Sequence, residues 1–325
     1  MKIAVCISGG IDSYYALKWA KEKFTNIEAV FLNFLNDKNQ IKTVQQISEK
    51  EKIPLKIFQV SDLFKKKIID YFLNEYKNGR TPNPCIFCNA FFKFEFVLNN
   101  GYDKVITGHY AKIEKGFIVK GEDLKKEQSY FLSRVKKELL KNIILPLGDK
   151  TKEDIKKSMK NFSKKESQEV CFIPDNNYKK FLIENGIVIP KTGKILNSKG
   201  RTIGFHKGYY NFTIGQRKGL NIAMGEPYYV LKIEPEKNIV YAGPKSETIN
   251  KKFSISHQLW YDNPEKYNNL KVKVRYRSKE KACKLNRDLN EVSMIEEESS
   301  ITPGQIAVFY SKNIVIGSGI IESAE

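Results

Sequence analysis

The first third of the chain alternates short apolar runs with segments in which apolar residues recur at helical spacing. Strands are predicted at 2–7, 28–34, 55–60 and 104–107, and helices at 14–24, 42–52 and 63–76. This alternation predicts a parallel sheet with helices on both faces. Ligands bind such sheets at the carboxyl ends of the strands. Gly9-Gly10 and Gly108-His109 each follow a predicted strand, so we expect them to share one site.

From about residue 178 the pattern changes to dense Gly and Pro turn signals between short strands, predicted at 228–233, 239–243, 271–277 and 307–310. Such spacing indicates small sheets or a barrel. The predicted domains are 1–177, 178–243 and 244–325. No apolar run is long enough to span a membrane and no signal peptide is visible, so a cytoplasmic protein is expected.

Charge and cysteine usage narrow the possible partners. The formal net charge is +19, which favours a polyanionic partner such as nucleic acid or an acidic membrane surface. Only seven of the 56 basic residues are Arg, so part of the excess is simply a Lys-rich composition on solvated faces. The five cysteines are an odd number, which argues against a disulfide framework and towards metal binding, thiol chemistry or inert burial.

The segment Ser8-Gly9-Gly10-Ile11-Asp12-Ser13 follows a predicted strand and opens a predicted helix. Two glycines let backbone N–H groups approach an anion, and a helix N-terminus adds unpaired donors. A common Ser-Gly-Gly turn is the alternative. The flanking strand and helix favour a pyrophosphate cradle, with Asp12 suited to Mg²⁺ or to capping.

The segment 81–89 holds Cys85 and Cys88 at C-x-x-C spacing. Two nearby prolines, Pro82 and Pro84, predict a stiff loop in place of a helix. Such a pair can bind zinc, ligate an iron–sulfur cluster, do redox work or be buried and inert. Arg80 is expected to stabilise a thiolate in this loop.

The remaining cysteines and two basic segments have less local context. Cys171 lies between apolar residues, which by default indicates a small buried side chain, and Cys6 and Cys283 are expected to be buried and inert. Arg275 and Arg277 flank Tyr276 at strand spacing, which puts both arginines on one face, either to bind phosphates or to cover a barrel wall.

Six segments together resemble bacterial tRNA-specific 2-thiouridylases of the PP-loop ATP pyrophosphatase superfamily; they are 79–84, 107–110, 128–132, 171–173, 215–220 and 302–305. The resemblance implies a PP-loop catalytic domain, a small central β-rich domain and a C-terminal tRNA-binding β-barrel. It also implies ATP-dependent 2-thiolation of the wobble uridine in tRNAs for Lys, Glu and Gln. The uracil O2 would be adenylated and sulfur would come from a cysteine persulfide, with release of AMP and pyrophosphate.

The same resemblance assigns roles to individual residues. It makes Cys88 the nucleophile and Cys171 the persulfide carrier, joined by a disulfide during turnover. The ATP site would comprise Cys6, Ile7, Ser8, Gly9, Gly10, Ile11, Asp12, Ser13, Leu32 and Gly108. The target base would meet Asn83, Pro84 and Cys85. The tRNA would contact His109, Lys126, Glu127, Gln128, Arg275, Tyr276 and Gln305.

Cofactors and partners follow from these roles. ATP with Mg²⁺, tRNA and a persulfide sulfur-donor protein are expected, and the segment carrying Cys171 should fold over the ATP cleft. The sequence departs from the family at Cys85, where some members have Asp. A [4Fe–4S] cluster on Cys85, Cys88 and Cys171 is therefore the alternative to a direct sulfur relay. Other PP-loop ligases and a non-catalytic, metal-holding nucleic-acid-binding module are the competing functions.

Overall fold

The computed structural model of the chain describes residues 1–160, 162, 170–173, 175, 177–187 and 192–324. Its strands, in chain order, are β1 (Ile3–Cys6), β2 (Ile27–Asn33), β3 (Leu55–Gln59), β4 (Lys104–Ile106), β5 (Ala111–Glu114), β6 (Phe117–Lys120), β7 (Ile143–Ile144), β8 (Gly193–Leu196), β9 (Thr202–His206), β10 (Tyr228–Glu234), β11 (Ile239–Pro244), β12 (Ile249–Trp260), β13 (Lys271–Lys273), β14 (Lys281–Leu285), β15 (Glu291–Ser299), β16 (Ile306–Ser311) and β17 (Ile314–Ala324).

The helices include two that change from α to π geometry along their length. They are α1 (Ile11–Lys23), α2 (Lys38–Glu51), α3 (Ser61–Phe64, π-helical Lys65–Ile69, then Asp70–Lys77), α4 (Pro84–Cys88, π-helical Asn89–Phe96, then Val97–Asn99), α5 (Ser129–Leu132), α6 (Lys152–Ser158) and α7 (Tyr178–Glu184). Short 3₁₀ turns cover Lys137–Asn142, Tyr209–Asn211, Lys245–Thr248 and Pro264–Lys266.

The first sheet has the order β3-β2-β1-β4-β7, and every pairing in it is parallel. Successive residues of a strand point to opposite faces, and here both faces are covered. Ala4 and Val105 pack into one apolar cluster, whereas Val5 and Ile106 pack into another on the opposite face. The predicted parallel sheet with helices on both faces is confirmed. Since β1 and β4 are neighbours, the segments that follow them emerge side by side.

The central sheet has the order β10-β11-β8-β9 and is mixed, because β11 pairs with β8 in parallel and the other pairings are antiparallel. The C-terminal strands β12-β15-β14-β13-β16-β17 close into a barrel through a β12–β17 pairing. Its interior is filled by large apolar side chains, among them Phe253, Val292 and Phe309. The predicted combination of a parallel α/β domain, a β-rich central domain and a β-barrel is confirmed.

The first and last domains share a sheet. The β5–β6 hairpin lies in the N-terminal part of the chain, yet β6 pairs with β17 through Val119 and Ile314. The backbone N–H of Lys120 also donates to the Asn313 carbonyl oxygen at 2.9 Å. This pairing holds the barrel against the parallel-sheet domain. Among the described residues, no helix combines the length and the apolar character that crossing a membrane requires.

Candidate active site

The turn between β1 and α1 is built as an anion cradle. The Ser13 hydroxyl accepts from the Ser8 backbone N–H at 3.1 Å and donates to the Gly10 carbonyl at 2.9 Å. Gly9 has a φ of +75°, which favours glycine. Gly10 occupies the N-cap of α1, and no side chain of the described residues caps that helix. By contrast, Asp37 caps α2. The first-turn N–H groups of α1 are thus open to an anion.

Gly108, at the end of β4, lies directly against this cradle. A Cβ atom at this position would lie 2.7 Å from the Asp12 carbonyl carbon and 2.9 Å from the Ser13 nitrogen. Only glycine allows the two backbone segments to come so close. The structure therefore brings together the two glycine segments that the strand pattern had placed at neighbouring strand ends.

Asp12 is held by two partners that the sequence did not reveal. Lys152, on α6, places its Nζ 2.7 Å from both carboxylate oxygens, and the Tyr110 hydroxyl donates to Oδ1 at 2.6 Å. Lys152 is buried and lies 140 residues further along the chain. No local motif marks it, so pattern analysis had no signal with which to find it.

Cys85 and Cys88 lie on a helix, and the predicted loop over this segment is wrong. Helix α4 begins at Pro84, which occupies its first turn. Proline is tolerated there because its missing N–H would have no helical acceptor, and its fixed φ suits a helix. Cys88 is buried and Cys85 is half-buried. All five cysteines are free thiols in the structure.

The expected pairing of Arg80 with a thiolate is also wrong. Arg80 Nε lies 2.8 Å from a Glu75 carboxylate oxygen, and its Nη1 lies 2.5 Å from a Glu322 oxygen on β17. A bidentate guanidinium between two carboxylates is already neutralised. Arg80 therefore ties α3 to the barrel and leaves the thiols to other charges.

Cys171 is exposed, contrary to the default expectation of a buried side chain. Its neighbour Phe172 is buried instead, with its ring 5.3 Å from that of Phe72, 5.7 Å from that of Phe64 and 5.4 Å from that of Phe181. The aromatic anchor fixes the backbone, and Cys171 projects from it towards the cleft.

One cavity of about 400 Å³ joins these parts. Its lining includes the cradle residues Ser8, Asp12 and Ser13, and also Gly108. Four cysteines border it, namely Cys6, Cys85, Cys88 and Cys171. Other predicted residues on its wall are Ile7, Leu32, Pro84, His109 and Gln128. We call this space the thiol cavity. Cys171 and Cys88, 83 positions apart in sequence, thus lie on one wall.

Burial determines the protonation states of the thiol and imidazole groups that line the thiol cavity. Loss of solvent raises the pKa of Cys88 to about 12 and that of Cys85 to about 11. Cys171 is exposed as a residue, but partial loss of solvent around its thiol raises its pKa as well. Burial likewise holds the pKa of His109 well below its usual range, with the nearby charge of Lys93 acting in the same direction. His109 shares a 2.7 Å hydrogen bond between its Nδ1 and the Thr107 hydroxyl. The imidazole is therefore neutral near pH 7.

Cys6 and Cys283 differ in position. Burial raises the pKa of each thiol to about 12. Cys6, at the end of β1, borders the thiol cavity and directs its Sγ to the Lys93 carbonyl oxygen at 3.7 Å. Cys283 lies in the barrel core on β14.

A second, wider cavity of about 760 Å³ lies on the other side of the cradle. It shares Ser8, Asp12, Ser13 and Gln128 with the thiol cavity and is also lined by Gly10 and Ile11. Its cations are Lys125, Lys126, Lys273 and Arg277, and its aromatic rings are Tyr110, Phe131 and Tyr276. Phe131 and Tyr276 pack with ring centroids 4.4 Å apart. We call this space the basic cavity.

Some of the residues predicted to contact tRNA line the basic cavity, and others lie outside it. Lys126, Glu127, Gln128 and Tyr276 line the basic cavity, although Glu127 is buried and accepts from the Ser129 N–H. Asn83 precedes α4 as its N-cap. Gln305 donates its amide N–H to the Thr81 carbonyl at 2.6 Å.

Arg275 does not share an exposed strand face with Arg277, because β13 ends at Lys273 and the strand predicted to reach 277 is wrong beyond that point. The Arg275 guanidinium donates to the carbonyl oxygens of Ile214 and Ser300 and to the Thr302 hydroxyl. It therefore joins the central domain to the barrel.

The same residues were candidates for metal ligands. Among the described residues, no three His, Cys, Asp or Glu side chains come together in an arrangement that could hold a metal ion. Cys85, Cys88 and Cys171 all border the thiol cavity but do not form such a group. Asp12 is the one carboxylate among the described residues lining the thiol cavity.

The fold and the site define a nucleotide-binding α/β enzyme of the HUP and PP-loop type, with several cysteines beside its phosphate cradle. Residues 1–175 match the family model described as the tRNA methyl transferase HUP domain. Residues 179–244 match the tRNA methyl transferase PRC-barrel domain, and 250–321 the aminomethyltransferase beta-barrel domain.

Curated relatives match along the whole chain. The tRNA-specific 2-thiouridylases MnmA of Pseudothermotoga lettingae and Fervidobacterium nodosum are each 39% identical over 348 residues, covering 99% of this chain and 99% of theirs. That of Thermosipho melanesiensis is 42% identical over 290 residues, 86% of this chain and 85% of its own. The chain belongs to the tRNA-specific 2-thiouridylase family, which confirms the predicted resemblance and the enzyme class, a tRNA sulfurtransferase.

Proposed function

We propose that this chain catalyses ATP-dependent 2-thiolation of the wobble uridine of tRNAs for Lys, Glu and Gln. It would use domains 1–177, 178–243 and 244–325 for catalysis, connection and tRNA binding. The observation that carries the proposal is the thiol cavity, which residues of the phosphate cradle line together with Cys88 and Cys171. An adenylation site with no thiol, or a thiol pair with no cradle, would not support this reaction.

The first step is activation of the base. A uracil carbonyl oxygen is a poor leaving group, so its O2 attacks the α-phosphorus of ATP, the bond to pyrophosphate breaks, and an O2-adenylated uridine forms. The open N–H groups at the start of α1 stabilise the charge on the phosphates. Asp12 is the residue that would hold Mg²⁺, an ion that commonly uses one carboxylate together with substrate phosphates.

The second step is sulfur transfer. A donor protein loads Cys171 as a persulfide. Cys171 is exposed and is therefore accessible to that partner. The Cys88 thiolate attacks the Cys171 sulfur, which forms a disulfide and expels hydrosulfide. Hydrosulfide attacks carbon 2 of the activated base, AMP leaves with the bonding electron pair, and loss of the sulfur-bound proton gives the thiocarbonyl. A dithiol reductant then returns two electrons to the disulfide.

The relay is supported by the position of Cys88 and Cys171 on one cavity and by the exposure of Cys171 to a donor protein. The basic cavity suits the anticodon loop, since Lys and Arg attract phosphates and the Phe131–Tyr276 pair offers a surface on which a base can stack. A base stacked in the loop must be flipped out to reach the cradle. A tRNA substrate implies action in the cytoplasm.

The test is a reconstituted reaction of the protein with ATP, unmodified tRNA and a persulfide donor, scored for 2-thiouridine and AMP. We expect Cys88→Ser and Cys171→Ser to abolish thiolation with the persulfide donor, while pyrophosphate is still released by adenylation of the base. Cys283→Ser is the matched control, because that thiol is equally buried but lies in the barrel core. ADP in place of AMP would refute the adenylation step.

Two further measurements sharpen the test. Thiolation by Cys88→Ser at the wild-type rate would refute the sulfur-transfer step, and stoichiometric iron in anaerobically purified protein would refute the relay. Transcripts of tRNAs for Lys, Glu and Gln, compared with a tRNA that lacks a wobble uridine, test the acceptor set.

A further inference from the structure

Lys93 is the one Lys or Arg among the described residues that line the thiol cavity. Its side chain is half-buried, and its neighbours Phe92 and Phe94 are completely buried, which fixes its backbone. Within the described part of the chain, its ammonium makes no hydrogen bond and no ion pair. A half-buried cation without a carboxylate is costly to keep. The sulfur-transfer chemistry as described so far gives it no role.

The geometry of α4 explains how Lys93 comes to face Cys88. In an α-helix, residues five apart lie about 140° apart around the axis, because each residue turns the chain by about 100°. The segment Asn89–Phe96 is π-helical, with hydrogen bonds between residues five apart. This wider turn brings Lys93 back towards the side of the helix that carries Cys88. Both residues accordingly line the same cavity.

The other charged and titratable groups on the cavity wall come from several elements. They are Cys6 on β1, Asp12 on α1, Cys85 and Cys88 on α4, His109 after β4 and Cys171. Asp12 is ion-paired with Lys152, and burial keeps His109 neutral. Burial raises the pKa of Cys85, Cys88 and Cys171, and the charge of Lys93 opposes this rise at each thiol. Among the described residues of the cavity wall, Lys93 is therefore the positive charge available to stabilise a thiolate.

We propose that Lys93 is the charge partner of the sulfur relay: its ammonium stabilises the Cys88 thiolate before attack and the hydrosulfide that leaves Cys171. The inference rests on the proposed function, in which both anions form inside the thiol cavity. An anion in a water-poor space needs a nearby opposite charge to form at a useful concentration. Lys93 does not react itself. It is a positioning residue, because its ammonium stabilises the negative charge on the Cys88 thiolate.

Thiol alkylation measures this effect without ATP or tRNA. Iodoacetamide reacts with the thiolate, so its rate at Cys88 and at Cys171, followed by peptide mass mapping at pH 8, reports the ionised fraction. An opposite charge at close range lowers a thiol pKa by about one unit or more. We therefore expect Lys93→Met to slow alkylation of Cys88 about tenfold, and Lys93→Gln to do the same. Lys93→Arg should restore most of the wild-type rate.

Lys136→Met is the matched control. The Lys136 ammonium lies 2.5 Å from a carboxylate oxygen of Glu95, which is on α4 like Lys93, but Lys136 lies outside the thiol cavity. Its removal takes away an equal charge and should leave alkylation unchanged. In thiolation assays, Lys93→Met should lower kcat about tenfold or more with little change in the KM for ATP.

Equal alkylation rates in Lys93→Met and wild type would overturn the proposal, even if thiolation were lost. A rise in the KM for ATP with unchanged alkylation would also overturn it, because Lys93 would then serve the phosphates. If wild type alkylates as expected but never thiolates tRNA, the proposed function fails and the charge assignment stands. A Lys93→Met that does not fold is replaced by Lys93→Gln compared with Lys93→Arg.

Discussion

We expect Gly304→Ala to displace helix α4, which carries Cys85 and Cys88, although Gly304 lies in the barrel. The barrel turn around Gly304 holds the segment that precedes α4. The Thr81 N–H donates to the Pro303 carbonyl at 2.9 Å, and the Gln305 amide donates to the Thr81 carbonyl at 2.6 Å. Gly304 lies between these two contacts. Thr81 in turn precedes Pro84, where α4 begins.

Two costs add at this position. Gly304 has a φ of +89°, a region in which an L side chain costs about 1 kcal/mol. Its new Cβ would also lie 3.0 Å from the Thr81 nitrogen and 3.1 Å from the Thr81 carbonyl carbon, and overpacking of this kind typically costs about 1–3 kcal/mol. Thr81 can relieve the clash only by loosening its hydrogen bonds and shifting towards the helix.

Gly101→Ala separates the two costs. Gly101 has a φ of +88°, almost the same as that of Gly304, but nothing lies within 4 Å of its Cβ position. In urea unfolding followed by tryptophan fluorescence, Gly101→Ala should lose about 1 kcal/mol of stability from backbone strain, and Gly304→Ala about 2–4 kcal/mol from strain and overpacking together. Only Gly304→Ala should also slow thiolation, by about tenfold to a hundredfold, since a displacement near 1 Å at a reacting centre can cost that much.

The decisive comparison is therefore between two alanines with the same backbone strain. If Gly304→Ala thiolates tRNA as fast as Gly101→Ala, the barrel turn does not position α4 and the reasoning fails. If both variants lose activity equally, strain alone accounts for the loss.

Three further results are expected. Because burial raises the pKa of Cys88 to about 12, its alkylation rate should rise about tenfold per pH unit from pH 7 to pH 9, and a plateau in that range would contradict the burial. Lys152→Met should raise the KM for ATP about tenfold, because the ammonium that orients the Asp12 carboxylate beside the cradle is lost, while the alkylation rate of Cys88 stays the same. Arg275→Lys should lower the thermal unfolding temperature by several degrees, because the shorter lysine side chain does not reach the position of Nη2, which makes all three contacts. Unchanged stability with weaker tRNA binding would assign Arg275 to the RNA instead.

Local patterns determined the parts of this protein in which neighbours in sequence are neighbours in space. The apolar runs of β1 and β4, buried on both faces, could only belong to a covered parallel sheet. Gly9 and Gly10, between a strand and a helix, marked the cradle for the same reason, since backbone conformation and helix-end donors are properties of a few consecutive residues. The spacing of Cys85 and Cys88 showed a thiol pair, and the family resemblance added the β-barrel.

Tertiary structure decided what surrounds those residues. The segment around Pro84 has signals for both a loop and a helix start, and packing selected the helix, which continues into the π turn that carries Lys93. One of the two carboxylate partners of Arg80 is Glu322, 242 positions away, and no window of sequence could have revealed that contact.

Burial, too, is a property of the assembled domains. The apolar neighbours of Cys171 predicted a buried side chain. In the structure Phe172 is buried and Cys171 is exposed. Lys152 reaches Asp12 because α6 packs beside the cradle, not because of any motif. Sequence patterns specify the conformation of each segment, whereas the pKa and the charge partner of a side chain depend on which distant segments fold against it.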